Sequence, residues 1–399
     1  MSHSNKEGIF LNRFIFLLSP FLGVPIYLVN LVRGERRGFE TIALIIALIS
    51  YLYIPSFSND KVRYIERYEL FQGMDVRDFS WYLIETKRAD FIFEYLLYFS
   101  SNLSLPLQVL IFCITFFTVF NIFRLVFRLA DNYALTDRTY ILFFFLCFFS
   151  LSYPAVFSGI RFMFATSILL SGLFLFFYAD KKKKGLLLLI VAVCTHISLL
   201  IFVPVVFLLL IWKRLNYKVV LLLSLVFFAV PVELVRSLVT FINLGGGLDV
   251  KTSLYFAGED IVSQGFDRTA SVFAFHLKLV PVYVGTLYLL LRPSDFGDYT
   301  VKLAYLYTSC VNITFAFPTV YERFSLITKL FLVFILLYDF AVRRNKKFAY
   351  LFLLLFVISF LVEINQIRYN LIESLFQAQN LSLYGILTNK HSLNDIITF

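Results

Sequence analysis

Histidine, cysteine and charge are all scarce in this chain of 399 residues. There are four histidines, and none stands at ligand spacing from a cysteine or from a second histidine. The four cysteines (Cys113, Cys147, Cys194 and Cys310) each fall inside an apolar run, with no CxxC spacing. Both facts argue against a zinc site and against a disulfide frame. Charged residues make up 16% of the chain, against roughly 25% in soluble domains. Also missing are an internal repeat of fixed period and a low-complexity linker, so one membrane domain over residues 1–399 is the simplest account. No cleavable signal is expected: Gly8 to Val32 is too long for an h-region and lacks a small-residue cleavage site.

What fills the space is apolar. The chain is 60% hydrophobic and 19% aromatic, with 50 Phe and 24 Tyr and a mean hydropathy of +0.80. Runs of about 20 apolar residues, the length that crosses a bilayer as helix, follow one another. The expected fold is therefore all-α, a polytopic integral membrane protein of about twelve transmembrane helices. They fall near 10–32, 39–57, 105–127, 139–157, 161–179, 185–197, 198–212, 219–235, 270–291, 300–317, 324–341 and 348–364. The first is kinked by Pro20 and Pro25 and would leave Lys6 and Arg13 outside.

Basic clusters fall in alternate loops: Arg33/Arg36/Arg37, Arg124/Arg128/Arg138, Lys181–Lys184, Lys213/Arg214/Lys218, Arg292/Lys302 and Arg343/Arg344/Lys346/Lys347. Placing all of them on the cytoplasmic side accounts for the net charge of +10 by topology, with no nucleic-acid partner. One segment decides the count. Gly185–Trp212 is 28 apolar residues with a basic cluster at each end, and a single helix would put one cluster outside. Two short spans turning near His196–Ser198 keep both inside. Segments 58–104, 236–269 and 365–399 are then extracytoplasmic. IFEYLLYF (Ile92–Phe99) reads as an interfacial helix with Glu94 on its polar face. Gly245-Gly246-Gly247 is either a flexible connector or part of a mobile lid.

Ionisable groups inside or at the mouths of spans are costly and mark sites. Arg161 follows the short loop Tyr153–Gly159 at an outer mouth, and Arg323 occupies the mirrored position in PTVYERFSLIT, beside Tyr321 and Glu322. Each either snorkels to lipid phosphate or binds a diphosphate, for which the planar guanidinium is suited. Glu322 is also a plain salt-bridge partner. His196, between Thr195 and Ser198, is either a satisfied core residue or a base facing the outer side; His276, beside Lys278, is the weaker candidate. Asp60, Arg63, Tyr64 and Tyr68 form D-x-x-R-Y-x-x-x-Y, followed by Asp90 and Glu94. Carboxylates and tyrosines on such a segment suit sugar hydroxyls, and a plain solvated loop would carry the same residues.

In order and spacing, these motifs resemble the EpsG/Wzy type of polysaccharide polymerase, from about Glu40 to Arg344. They are D-x-x-R-Y, A-D-F-I-F-E, G-I-R-F-x-x-A, the lysine run, C-T-H-I-S-L and the late E-R-F. Many relatives read Arg-Gln where this chain has Arg161-Phe162. The resemblance implies a helical fold similar to the C-type glycosyltransferases. It also implies the joining of undecaprenyl-diphosphate-linked oligosaccharide repeat units on the outer face of the bacterial cytoplasmic membrane. Arg161, Arg323, His196 and Glu94 would then be catalytic, with Asp60, Arg63, Tyr64, Asp90, Tyr321 and Glu322 binding substrate. No cofactor and no metal are expected. The expected partners are membrane lipid, the lipid-linked glycan, and a flippase and chain-length regulator of the same pathway. A lipid-linked oligosaccharide flippase and an O-antigen ligase are the rival readings.

Overall fold

The computed structural model describes residues 14–32, 38–57, 59–135, 137–212, 215–241, 268–344, 346–376, 380 and 382–388. Among them the chain is helical, with no strand. After α1 (Val24–Val32), α2 (Gly38–Leu52) enters the bundle, and its C-terminal carbonyls meet a lysine. Lys61 Nζ donates to the carbonyl oxygens of Ser50 (2.9 Å) and Tyr53 (2.5 Å). A cation there satisfies orphan acceptors at the negative end of the helix dipole.

Residues 59–105 fold into three short helices, α3 (Asp60–Leu70), α4 (Val76–Glu85) and α5 (Phe91–Asn102). They share an aromatic core of their own, built on Tyr64, Phe71, Phe79, Phe93 and Tyr98. The rings of Phe79 and Tyr98 stack at 4.2 Å. Glu94 is therefore not on a solvated face of an interfacial helix. It shares the buried side of α5 with Leu97 and Ser101, three and seven positions on.

Then come α6 (Leu107–Asn132), α7 (Asp137–Ser150), the one-turn α8 (Tyr153–Phe157) and α9 (Ile160–Phe177). α9 runs antiparallel to α10 (Lys182–Thr195). Phe162 meets the ring of His196 at one end of the pair, and Gly172 meets Gly185 towards the other. The glycines let the backbones touch, since a Cβ on Gly185 would lie 2.8 Å from Phe176 N and 2.9 Å from Gly172 O.

At His196 the backbone becomes extended (φ −150°, ψ 106°), which ends α10. A 3-10 turn (Ile197–Ile201) leads to α11 (Phe202–Ile211), then α12 (Tyr217–Ser224) and α13 (Val232–Phe241). Phe177, just before the lysine tetrad, stacks on Tyr299, and Tyr217 packs on Phe296. Both contacts lie at the end opposite His196, so the chain rises through α10 and returns through α11, as the charge pattern requires. Lys213 and Arg214 lie outside the described residues. The two legs diverge: α10 packs on α9, whereas Phe202 of α11 stacks on Tyr307 at 4.5 Å.

The remaining helices are α14 (Thr269–Leu291), α15 (Tyr299–Ile313), α16 (Pro318–Arg343), α17 (Lys347–Gln366), α18 (Arg368–Leu375) and α19 (Leu383–Thr388). α16 is the axis of the bundle, 89% buried along its apolar window. Its neighbours hold it by charge as well as by packing. Arg292 grips Asp339 through Nε and Nη2 (2.7 Å), and Lys329 pairs with Glu363 at 2.8 Å. Among the described residues, helices fall in each expected segment, and five are long and apolar enough to cross a bilayer: α6, α9, α14, α16 and α17. Four more are shorter apolar helices. This is an all-α, polytopic membrane protein. Residues 242–267, including the expected connector or lid, lie outside the described residues.

The close α9–α10 approach yields a prediction. Gly185→Val should lower the detergent unfolding temperature and the membrane-inserted level far more than Leu186→Val at the exposed neighbouring position. Thermal unfolding of the two purified variants compares them; equal stability would mean that the glycine contact is not needed.

Candidate active site

A cavity of about 660 Å³ opens at the end of the bundle where α9 begins and α10 ends. Five elements set its wall, α8 among them with Pro154 and Ala155. α3 supplies Asp60, Arg63 and Tyr64, α9 supplies Arg161, and the α10 terminus supplies His196. α16 supplies Thr319, Glu322, Arg323 and Leu326, spaced i, i+3, i+4 and i+7 on one helical face. Seven of the ten residues singled out by sequence thus share one space, although they come from positions 60 to 323.

The other three lie elsewhere. Tyr321 is on another face of α16, buried among Phe228, Phe315 and Tyr283. Pro318 starts that helix earlier than expected, so Arg323 stands in its second turn and Tyr321 turns away from the cavity. Asp90 and Glu94 lie behind Arg161. Asp90 Oδ2 is 2.9 Å from Arg161 Nη1, and Asp90 Oδ1 accepts a hydrogen bond from Ile197 N at 2.8 Å. Glu94, whose side chain is 0% exposed, accepts from Arg67 Nη1 at 2.5 Å and lies 3.9 Å from Arg161 Nη1. A carboxylate this enclosed holds arginines in place; it does not face the cavity. Arg161 itself is only 15% exposed, so it is a packed residue and not a snorkelling one.

A second group of charges on the cavity wall is looser. Asp60 lies 3.3 Å from Arg63 and 3.4 Å from Arg323, and all three are partly open to solvent. Glu322 pairs with Lys278 of α14 at 2.6 Å. Tyr64 lies beneath the Arg161 guanidinium, 6.0 Å from ring to charge. Burial lifts its hydroxyl to about 12, with Arg161 opposing, so it is a donor and a ring surface at neutral pH. Burial lowers Arg67, and Glu94 opposes that shift.

His196 is nearly enclosed. Its Nδ1 is 2.6 Å from Ser198 Oγ, and Phe162 meets its ring edge-on at 5.2 Å. His276 does not line the cavity, and its Nδ1 is 3.0 Å from Tyr283 OH. Tyr68 also stays outside, donating to Leu105 O at 2.5 Å. Sequence reasoning passed over Arg67, one turn after Arg63 and Tyr64 on the same helix. It also passed over Lys278, whose place inside an apolar run was itself a signal. Among the described residues no three His, Cys, Asp or Glu side chains converge as a metal would require.

A protein-family model described as the EpsG family matches residues 37–379. The chain belongs to the EpsG family. No curated protein and no solved structure matches it. Membership points to a polysaccharide polymerase-type function in a multi-pass membrane protein, and the matched span contains every residue of the cavity wall. This EpsG chain has Phe162 packed edge-on against the His196 ring.

Asp90→Ala would strip a partner from Arg161 and from the Ile197 amide together. Removing one member of a buried pair costs about 3–5 kcal/mol, so folded protein in the membrane should fall sharply. Asp90→Asn keeps an acceptor for Ile197 and should lose less. Unfolding temperatures in detergent rank the two, and equal losses would separate Asp90 from the turn.

Proposed function

We propose that this protein joins lipid-diphosphate-linked oligosaccharide repeat units into a longer polysaccharide on the outer face of the cytoplasmic membrane. The observation that carries this reading is the gathering of Arg63, Arg161 and Arg323 beside His196 in one cavity, at the end opposite Lys181–Lys184. If the lysine tetrad is cytoplasmic by the positive-inside rule, the cavity faces outwards. That is where an exported lipid-linked glycan presents its diphosphate.

The chemistry asked of the site is a displacement at an anomeric carbon. An acceptor sugar hydroxyl forms the new C–O bond, the bond to the diphosphate oxygen breaks, and the hydroxyl proton passes to a base. The diphosphate is already a good leaving group, so fixed positive charge where its negative charge grows is the main requirement. Arg161 and Arg323 supply it from different helices, without calling on a divalent ion. His196, its ring held through Nδ1 by Ser198, takes the proton. Asp60, Arg63, Tyr64 and Glu322 bind sugar and phosphate. Asp90, Glu94 and Arg67 position Arg161.

Arg323 gives the clean test, because replacing Arg161 also breaks a buried pair. Arg323→Lys should fail nearly as badly as Arg323→Ala, since lysine offers a point charge without the planar fork. Each should lower the polymerisation rate roughly 10²–10³-fold, with membrane levels of the protein unchanged. Chain length on gels beside an immunoblot measures both. Normal chains from the lysine variant would remove the clamp. In a deletion strain, single repeats capped on lipid support the polymerase, whereas loss of all exported repeat supports a flippase. Polymerisation should also survive EDTA; loss restored by a divalent ion would reassign the phosphate charge to a metal.

A further inference from the structure

The cations of the cavity wall are held in two ways. Arg161 faces two buried carboxylates through one nitrogen, Asp90 at 2.9 Å and Glu94 at 3.9 Å, with 3% and 0% of those side chains exposed. Enclosed pairs of this kind are costly to separate. Elsewhere on the wall, Asp60 is shared between Arg63 and Arg323 at 3.3 and 3.4 Å, with exposures of 23%, 55% and 33%. Pairs this long and this wet contribute little, about 0–1 kcal/mol, and exchange readily.

We propose that Asp60 is a resident counter-ion, and that an incoming diphosphate displaces it from Arg63 and Arg323. The exchange makes the cavity selective for diphosphates over single phosphates. This rests on the diphosphate reading above and goes beyond it by naming what the ligand must replace. Asp60 is tethered, so it competes at a high effective concentration. A single phosphate, with one charge as a diester or between one and two as orthophosphate, has only one set of oxygens with which to replace the carboxylate at two arginines, and it gives up its own freedom to bind. A diphosphate brings at least two charges and enough oxygens to engage both guanidinium forks. The displaced carboxylate is not stranded. Asp60 lies in the first turn of α3, where the positive end of the helix dipole favours an anion.

The test uses the purified full chain in phosphatidylcholine nanodiscs, with inorganic pyrophosphate and orthophosphate titrated by calorimetry. Wild type should bind pyrophosphate and bind orthophosphate at least about 10-fold more weakly. Asp60→Asn should bind pyrophosphate about 10-fold more tightly and narrow the gap to orthophosphate. Arg323→Ala should lose pyrophosphate in either background. A second arm replaces part of the lipid with phosphatidylglycerol, whose headgroup carries a single phosphodiester. It should compete in Asp60→Asn and leave wild type unaffected; competition in wild type would overturn the selectivity. Size-exclusion chromatography checks folding, and Asp60→Ser serves where Asn does not fold. Unchanged or weaker pyrophosphate binding in a monodisperse variant would overturn the exchange while leaving the diphosphate site standing. No pyrophosphate binding in any of the proteins would overturn both.

Discussion

The ion pair between Arg161 and Asp90 fixes the geometry on which the cavity depends. It joins three elements that are far apart in sequence: the start of α5, the start of α9, and the turn that follows α10. The third link is to backbone, through Ile197 N, directly after His196. One carboxylate thus sets the spacing between the guanidinium and the imidazole. Lower down, the Gly172–Gly185 contact holds the same two helices together by close approach alone. The pair is therefore pinned by charge at the cavity end and by van der Waals contact in its interior. A shift of either helix along its axis would have to break one of these.

Much of this was legible in the sequence. The alternation of basic clusters required that Gly185–Trp212 turn back on itself, and the chain does turn at His196, where the extended backbone ends α10. The convergence of Asp60, Arg63, Tyr64, Arg161, His196, Glu322 and Arg323 followed from motif order, because charges at span mouths on one side share one end of a bundle. What was not legible is helix phase. Whether Tyr321 or Glu322 faces the cavity depends on where α16 starts, and only Pro318 at its first turn fixes that. Glu94 misled for a related reason. Its helix is amphipathic, but the water-filled side is not the side that carries the acid, because Arg67 and Arg161 reach it from two other helices. No local pattern encodes a partner 27 residues away on a separate helix.

Buried cations are partnered, Lys61 by backbone carbonyls and three others by carboxylates. Lys329 meets Glu363, Lys278 meets Glu322, and Arg292 meets Asp339, each between neighbouring helices. Ser359 links two of these pairs, accepting from Lys329 Nζ and donating to the backbone oxygen of Lys278. Pairing removes the cost of isolated charge in an apolar medium, and it also means that the interior offers an anionic ligand little net attraction. The attraction has to come from groups whose partners can be exchanged.

That requirement separates the arginines by role. Arg161 is held too firmly to follow a ligand, so it suits a charge that must be in place before the reaction begins. In the reaction proposed above, Arg63 and Arg323, whose pairs with Asp60 are long and partly solvated, would capture and release the leaving group. A site made only of fixed pairs would bind anions poorly. The separation has a structural origin: α5 encloses Arg161 with Glu94 and Asp90, while the cations on the first two turns of α3 and α16 stay partly open to water. The enclosure of residues 59–105 around their own aromatic core is thus what makes one arginine rigid and leaves two responsive.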